Sequence, residues 1–214
     1  MRRFQTLKIK LILPVLFILI IVFLGSSFLI VDREYNASKE SFINYAESFS
    51  ILSVESLIEN YEIYYDSGFY IFIEYVDSLL SLDIDVEIIQ IVDVNGKILF
   101  ESTEIEEGKY NLQNQEDRIL PNEDLIERAG LSTATTEIDE NKRIIDIIQP
   151  FISQQGAHYN SARYQFSFSS LDEMTQEMIL TIFVYSAIFM ILSFLLIFVL
   201  FNRLISSPVS KLIK

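Results

Sequence analysis

An α+β fold on an antiparallel sheet, with a long N-terminal helix and two flanking membrane-crossing helices, is the class this chain predicts. Three observations predict it. Two uncharged apolar runs lie near the ends, a strongly acidic segment separates them, and inside that segment helical periodicity gives way to strand-like alternation.

From Leu11 to Val31 there is no formal charge, and Ile, Leu, Val and Phe dominate. As a helix the run measures about 32 Å, against a hydrocarbon core of roughly 30 Å. A cleaved signal peptide ending near Gly25-Ser26-Ser27 is the rival reading. The apolar run continues through Phe28-Leu29-Ile30-Val31, past the usual signal core of roughly 7–15 residues, which favours an uncleaved anchor. A second uncharged run, Met178 to Asn202, is long enough to cross with some tilt. The S-x-x-E spacing of Ser170-Leu171-Asp172-Glu173 predicts a capping box at the start of its helix.

Orientation follows from the flanks. Arg2, Arg3, Lys8 and Lys10 precede the first span, Arg203, Lys211 and Lys214 follow the second, and neither flank holds an Asp or Glu. All 30 acidic residues fall between Asp32 and Glu177. Basic residues retain a flank in the cytoplasm, so both ends are expected inside, with Asp32 to Glu177 on the far side of the lipid bilayer. An anionic outer segment repels nucleic acid and anionic lipid surfaces. With 0 cysteines, disulfides and thiolate chemistry are excluded.

Asp32 to Asp66 contains neither Gly nor Pro, and its apolar residues recur at threes, fours and sevens, which predicts one amphipathic helix continuous with the first span. Gly68 is expected to end it. Phe69 to Leu80 follows as a shorter helix with Phe69, Phe72, Ile73, Val76 and Leu80 on one side. Val86 to Val92, the Asn95-Gly96 pair and Lys97 to Ser102 predict a hairpin closed by a type I′ turn. Glu104 to Leu131 is polar and loop-like, with a short helix near Glu123 to Arg128. Arg143 to Ile152 and Ala162 to Phe168 are expected strands around Gln154-Gln155-Gly156-Ala157, with a further one at Thr133 to Ile138.

In this order the chain resembles a single Cache domain, the PAS-like extracytoplasmic sensor module of bacterial transmembrane receptors. The resemblance rests on Ile89-Gln90-Ile91-Val92-Asp93-Val94-Asn95-Gly96-Lys97-Ile98-Leu99-Phe100-Glu101-Ser102 with Glu107-Gly108-Lys109 behind it. It rests also on Ile144 to Pro150 with its Gly156 hairpin, and on Arg203 to Leu212, which is similar to the opening of a HAMP linker. It implies a receptor in the bacterial inner membrane that binds a small extracellular molecule and passes a helix displacement inward. A homodimer packed along Asp32 to Asp66 is expected. The catalytic or signalling output, such as a histidine kinase, a chemotaxis module or a nucleotide cyclase, is expected beyond Lys214, this chain being read as a fragment and not itself an enzyme. A structural or partner-binding membrane protein, whose outer domain contacts another protein and has no small-molecule pocket, is the alternative.

No arrangement of nucleophile and base is visible, and no cofactor is implied. The single histidine, His158, is expected exposed at a hairpin tip. Asp83-Ile84-Asp85-Val86-Glu87 lacks the glycine and spacing of a calcium loop, so no metal is expected. Asn36-Ala37-Ser38 matches a glycosylation acceptor but is discounted. In the resembled families ligands lie against one sheet face beneath the crossing segment. That implies Tyr110 and Arg118 from the segment, and Arg143, Arg163 and Tyr164 from the strands, as ligand-binding residues. An arginine fork there would suit a carboxylate. No amino-acid recognition signature is visible, so no ligand class is implied.

Overall fold

A computed structural model describes residues 2–82, 85–105, 109–110 and 118–203, with side chains from residue 13 onward. It consists of a long helix α1 (Arg2–Tyr64), α2 (Phe69–Ser81), the strands β1 (Val86–Asp93) and β2 (Ile98–Glu101), a short 3₁₀ turn at Ser102–Glu104, and α3 (Glu123–Gly130). The strands β3 (Thr135–Asp139), β4 (Ile144–Ile152) and β5 (His158–Ser167) and the helix α4 (Ser169–Phe201) complete it. The five strands form one antiparallel sheet in the order β2-β1-β5-β4-β3. The fold is therefore α+β. By compactness the chain divides into a unit of Lys39–Asp172 and a second unit comprising Met1–Ser38 and Glu173–Lys214.

The second unit is helical. Stretches of α1 and α4 are long and apolar enough to cross a membrane, with a mean hydropathy of 2.8 over the most apolar window of each. Each keeps a narrow inward stripe, Leu16, Ile20, Phe23 and Ser27 on one helix and Ile182, Ser186, Met190 and Ser193 on the other, while most other apolar side chains point outward. That spacing of threes and fours is the seam of two helices packed side by side. Within it the hydroxyls of Ser27 and Ser186 are hydrogen-bonded at 2.6 Å, and Ser27 is buried. The HAMP-like stretch beyond Arg203 lies outside the described residues.

In the Lys39–Asp172 unit, period-two alternation gives the sheet two different faces. One face is covered by α1 and α2. Phe49 of α1 stands edge-on to Tyr164 and Phe166 at 5.8 and 5.9 Å, and Phe72 of α2 stands edge-on to Phe100 at 4.8 Å. Ile89, Ile91, Ile145 and Ile147 fill the space between, each at most 1% exposed. The other face carries α3, which sits over a smaller cluster of Val92, Ile98, Leu120, Leu125 and Ile148. Ala129 offers its carbonyl oxygen to the Ser161 hydroxyl at 3.1 Å.

Several local expectations are corrected. Gly96 has φ 80°, but Asn95 does not share a positive φ, so the hairpin turn is not type I′. Instead Asp93 accepts from Gly96 N at 3.0 Å and donates to Lys97 O at 2.9 Å, a type I turn followed by a left-handed glycine. The Asp93 carboxylate decides this by binding the N–H groups of Asn95 and Lys97, both at 2.8 Å. Leu79 rather than Leu80 completes the buried stripe of α2. No capping box forms at Ser170, because α4 already begins at Ser169, and Ser170 N donates to the Asp85 carboxylate at 3.1 Å. His158 is half-buried within β5, its ring hydrogen-bonded to the Ser161 hydroxyl at 2.9 Å, and desolvation holds its pKa below the ordinary value. Asp83 and Ile84 lie outside the described residues.

Candidate ligand cavity

Ile144-Ile145-Asp146-Ile147-Ile148 places one carboxylate in the centre of an apolar strand. Register turns Ile145 and Ile147 toward the helices and Asp146 toward α3, opposite Gln165 of β5. There Asp146 is buried, as are its arginine partners Arg128 and Arg163, while Gln165 is half-buried. Arg163 donates to Asp146 Oδ2 from Nε at 2.8 Å and from Nη2 at 2.5 Å, and Gln165 Nε2 donates to the same oxygen at 2.9 Å. Arg128 of α3 reaches down to Asp146 O at 2.9 Å and Oδ1 at 3.3 Å. A buried carboxylate between two guanidinium groups satisfies the rule that interior charge must be paired and hydrogen-bonded.

The pairing continues across the sheet. Arg163 Nη1 donates to Gln90 Oε1 at 2.9 Å, and Gln90 Nε2 donates to Glu101 Oε2 at 2.8 Å. On the other side Arg128 donates to Thr135 Oγ1 at 3.0 Å and Glu137 Oε2 at 2.7 Å. One polar chain thus crosses all five strands beneath α3.

Over its β3–β4 end lies a cavity of about 250 Å³. Glu137, Asp139, Lys142, Ile144 and Asp146 line it from the β3–β4 hairpin, Arg163 and Gln165 from β5, Leu125 from α3 and Asn122 from just before that helix. Asn122 is held in place by capping α3, its side-chain oxygen accepting from Asp124 N at 3.2 Å. Asp139 holds its own turn together, its Oδ1 accepting from Asn141 N at 2.9 Å and Lys142 N at 3.0 Å. Hydrogen bonding from the Lys142 and Asn141 backbone N–H groups lowers the Asp139 pKa, so this wall stays anionic. The lining therefore offers fixed charges of both signs and amide groups to a small polar molecule. Among the described residues no three His, Cys, Asp or Glu side chains are grouped to hold a metal ion.

The five residues expected at a ligand site are not brought together. Arg163 lines the cavity, with its Nε/Nη2 edge turned to Asp146 rather than left open for a ligand carboxylate. Tyr164, next to it in sequence, faces the helices. Its hydroxyl is hydrogen-bonded to that of Ser53 at 2.8 Å, and burial pushes its pKa well up. Tyr110 packs among rings, 5.5 Å from Phe69 and 5.0 Å from Phe100. Arg118 pairs with Glu104 and lies 3.7 Å from Glu101. Arg143 pairs with Asp172 and covers the Phe168 ring at 4.8 Å.

Sequence reasoning passed over Asp146, Arg128, Gln90, Asp139 and Lys142. A signal existed for Asp146, since a lone carboxylate among four isoleucines is costly unless paired. Nothing in sequence assigned Arg128 to it. Comparison of the chain with protein-family models and with curated proteins finds no match to either.

Proposed function

We propose that this chain is the sensor region of a bacterial transmembrane signalling receptor, with the Lys39–Asp172 unit outside the inner membrane and a small polar molecule bound on the α3 side of its sheet. One observation carries the reading. The two sheet faces are finished differently: the α1/α2 face is packed with aromatic and branched side chains, whereas the α3 face keeps a cavity of about 250 Å³ lined by charged and amide groups. A cavity of that size suits a small metabolite rather than a drug-sized ligand. Bound ligand biases the unit between two arrangements by its differential affinity for them, and the helices passing into the bilayer carry the difference inward. The working form is a homodimer, and the output lies in chain outside this sequence. The Cache resemblance agrees with this reading and is part of the proposal.

The test is thermal unfolding of the chain in lipid nanodiscs against a library of small polar metabolites. A specific ligand stabilises the folded chain logarithmically with its concentration over Kd, by about 2.7 kcal/mol at a hundred times Kd, and the midpoint rises accordingly. Asp139→Ala and Gln165→Ala are expected to abolish that rise. Absence of any stabilising compound refutes the reading.

A partner-binding role is favoured by a different observation. Tyr45, Leu52 and Ile63 of α1 and Tyr70 of α2 expose between 48 and 79% of their surface. A homodimer covers such side chains equally well. Size-exclusion chromatography with light scattering separates the two, because the sensor reading expects a dimer that Leu52→Glu dissociates.

A further inference from the structure

We propose that the turn between β3 and β4, Asp139 to Arg143, is the device by which an occupant of the cavity releases or fixes the first turn of α4. This deepens the sensor reading and rests on it, because the cavity must take a ligand for the turn to report.

The turn has two sides. Asp139 and Lys142 line the cavity. Glu140 and Arg143, interleaved with them, face away from it. Glu140 is salt-bridged to Lys39 of α1 and lies 3.7 Å from Arg143. Arg143 Nε donates to Asp172 Oδ2 at 3.2 Å, and Nη2 donates to Oδ1. The guanidinium lies 4.8 Å from the centre of the Phe168 ring, and the Arg143 carbonyl accepts from Phe168 N at 3.0 Å. Phe168 immediately precedes α4, and Asp172 lies in its first turn. One side chain and one carbonyl of Arg143 therefore hold the place where the sheet passes into that helix.

The turn is suited to moving. β3 is an edge strand, so one side of the hairpin is unpaired. Arg143 has φ 57°, a left-handed conformation that is unfavourable for a non-glycine residue and persists where its surroundings hold it. What holds it from the cavity side is the Asp139 carboxylate, through the N–H groups of Asn141 and Lys142. A ligand that draws Asp139 or Lys142 to itself competes with those bonds. The backbone presenting Arg143 then relaxes, and both of its ties to α4 loosen together.

With 0 native cysteines, a tethered probe isolates this step. Lys142→Cys in the nanodisc-bound chain, labelled with benzyl methanethiosulfonate, puts a group at the cavity wall whatever the natural ligand is. The Lys142 side chain is 74% exposed, so the replacement leaves packing untouched. The amides of Phe168 to Asp172 are expected to exchange with deuterium at least fivefold faster after labelling. The same label at Gln155→Cys, in the β4–β5 turn, is expected to change nothing there. In an Arg143→Gln background these amides should exchange fast before labelling and gain nothing from it. Asp139→Ala, which needs no label, is expected to speed the same amides. Unchanged exchange in both labelled Lys142→Cys and Asp139→Ala overturns the proposal, as does an equal effect from Gln155→Cys. Failure of the sensor reading is seen elsewhere, as a metabolite library without a hit.

Discussion

Replacing Asp146 by asparagine strikes the one carboxylate on which two buried guanidinium groups converge. Asp146, Arg128 and Arg163 have side chains only 9–10% exposed, so solvent does little to compensate. Removing one partner of such a buried pair costs about 3–5 kcal/mol, chiefly because the remaining charge is left unpaired. Asparagine retains an acceptor oxygen, which places the expected loss near the lower bound, about 3 kcal/mol. For a domain of this size that is a fall of roughly 10 °C in the unfolding midpoint. The chain has 0 tryptophans and 11 tyrosines, so near-ultraviolet circular dichroism of the tyrosines follows the transition directly. Asp146→Leu combined with Arg163→Met should lose less than the sum of the two single changes, with a coupling of about 1–3 kcal/mol. A fall below about 3 °C for Asp146→Asn, or strict additivity in the double variant, refutes the claim that this chain of charges holds the α3 face together.

Other expectations follow from single positions. Gly96 and Gly156 both have φ 80°, but a Cβ on Gly96 would stand 2.8 Å from Ile126 Cγ1 whereas one on Gly156 meets nothing within 4 Å. Gly96→Ala should therefore cost about 2 kcal/mol or more in urea unfolding and Gly156→Ala about 1 kcal/mol, and equal costs would show that α3 does not rest on the β1–β2 turn. Ser27→Cys with Ser186→Cys should form an intrachain disulfide on mild oxidation in membranes, since the two hydroxyl oxygens are 2.6 Å apart, whereas Val22→Cys with Ser186→Cys should not. His158 has a folded pKa below the ordinary 6.5, so its contribution is complete above that value and is lost as pH falls through the folded pKa. Unfolding midpoints at pH 7.5 and 5.5 check this, and the drop between them should shrink in His158→Gln.

Reading from sequence succeeded where the signal was local and repeated. The charge-free runs, the unbroken periodicity from Asp32 to Asp66 and the alternation of Ala162, Tyr164 and Phe166 are visible without any partner, and α1 and β5 follow from them. Turn detail was less legible. Asn95-Gly96 fits a type I′ turn by composition, but the Asp93 side chain binds two backbone N–H groups and selects another. Ser170 likewise has the right spacing to Glu173, yet Asp85 reaches it from before β1. The candidate site was the least legible part. Arg163 and Tyr164 are sequence neighbours expected to act together, and adjacent strand residues must face opposite ways.

By itself the sequence determined the apolar helices, the acidic segment that separates them and the kinds of element within it, because hydrophobic length, charge and period are properties of a chain read a few residues at a time. Tertiary structure alone decided which arginine meets Asp146, which turn residues face the cavity and which face α4. Those outcomes depend on the order β2-β1-β5-β4-β3, which brings Gln90, Asp146 and Arg163 together from three strands. No local pattern encodes that meeting, because the partners are separated by long stretches of chain and only sheet register aligns them.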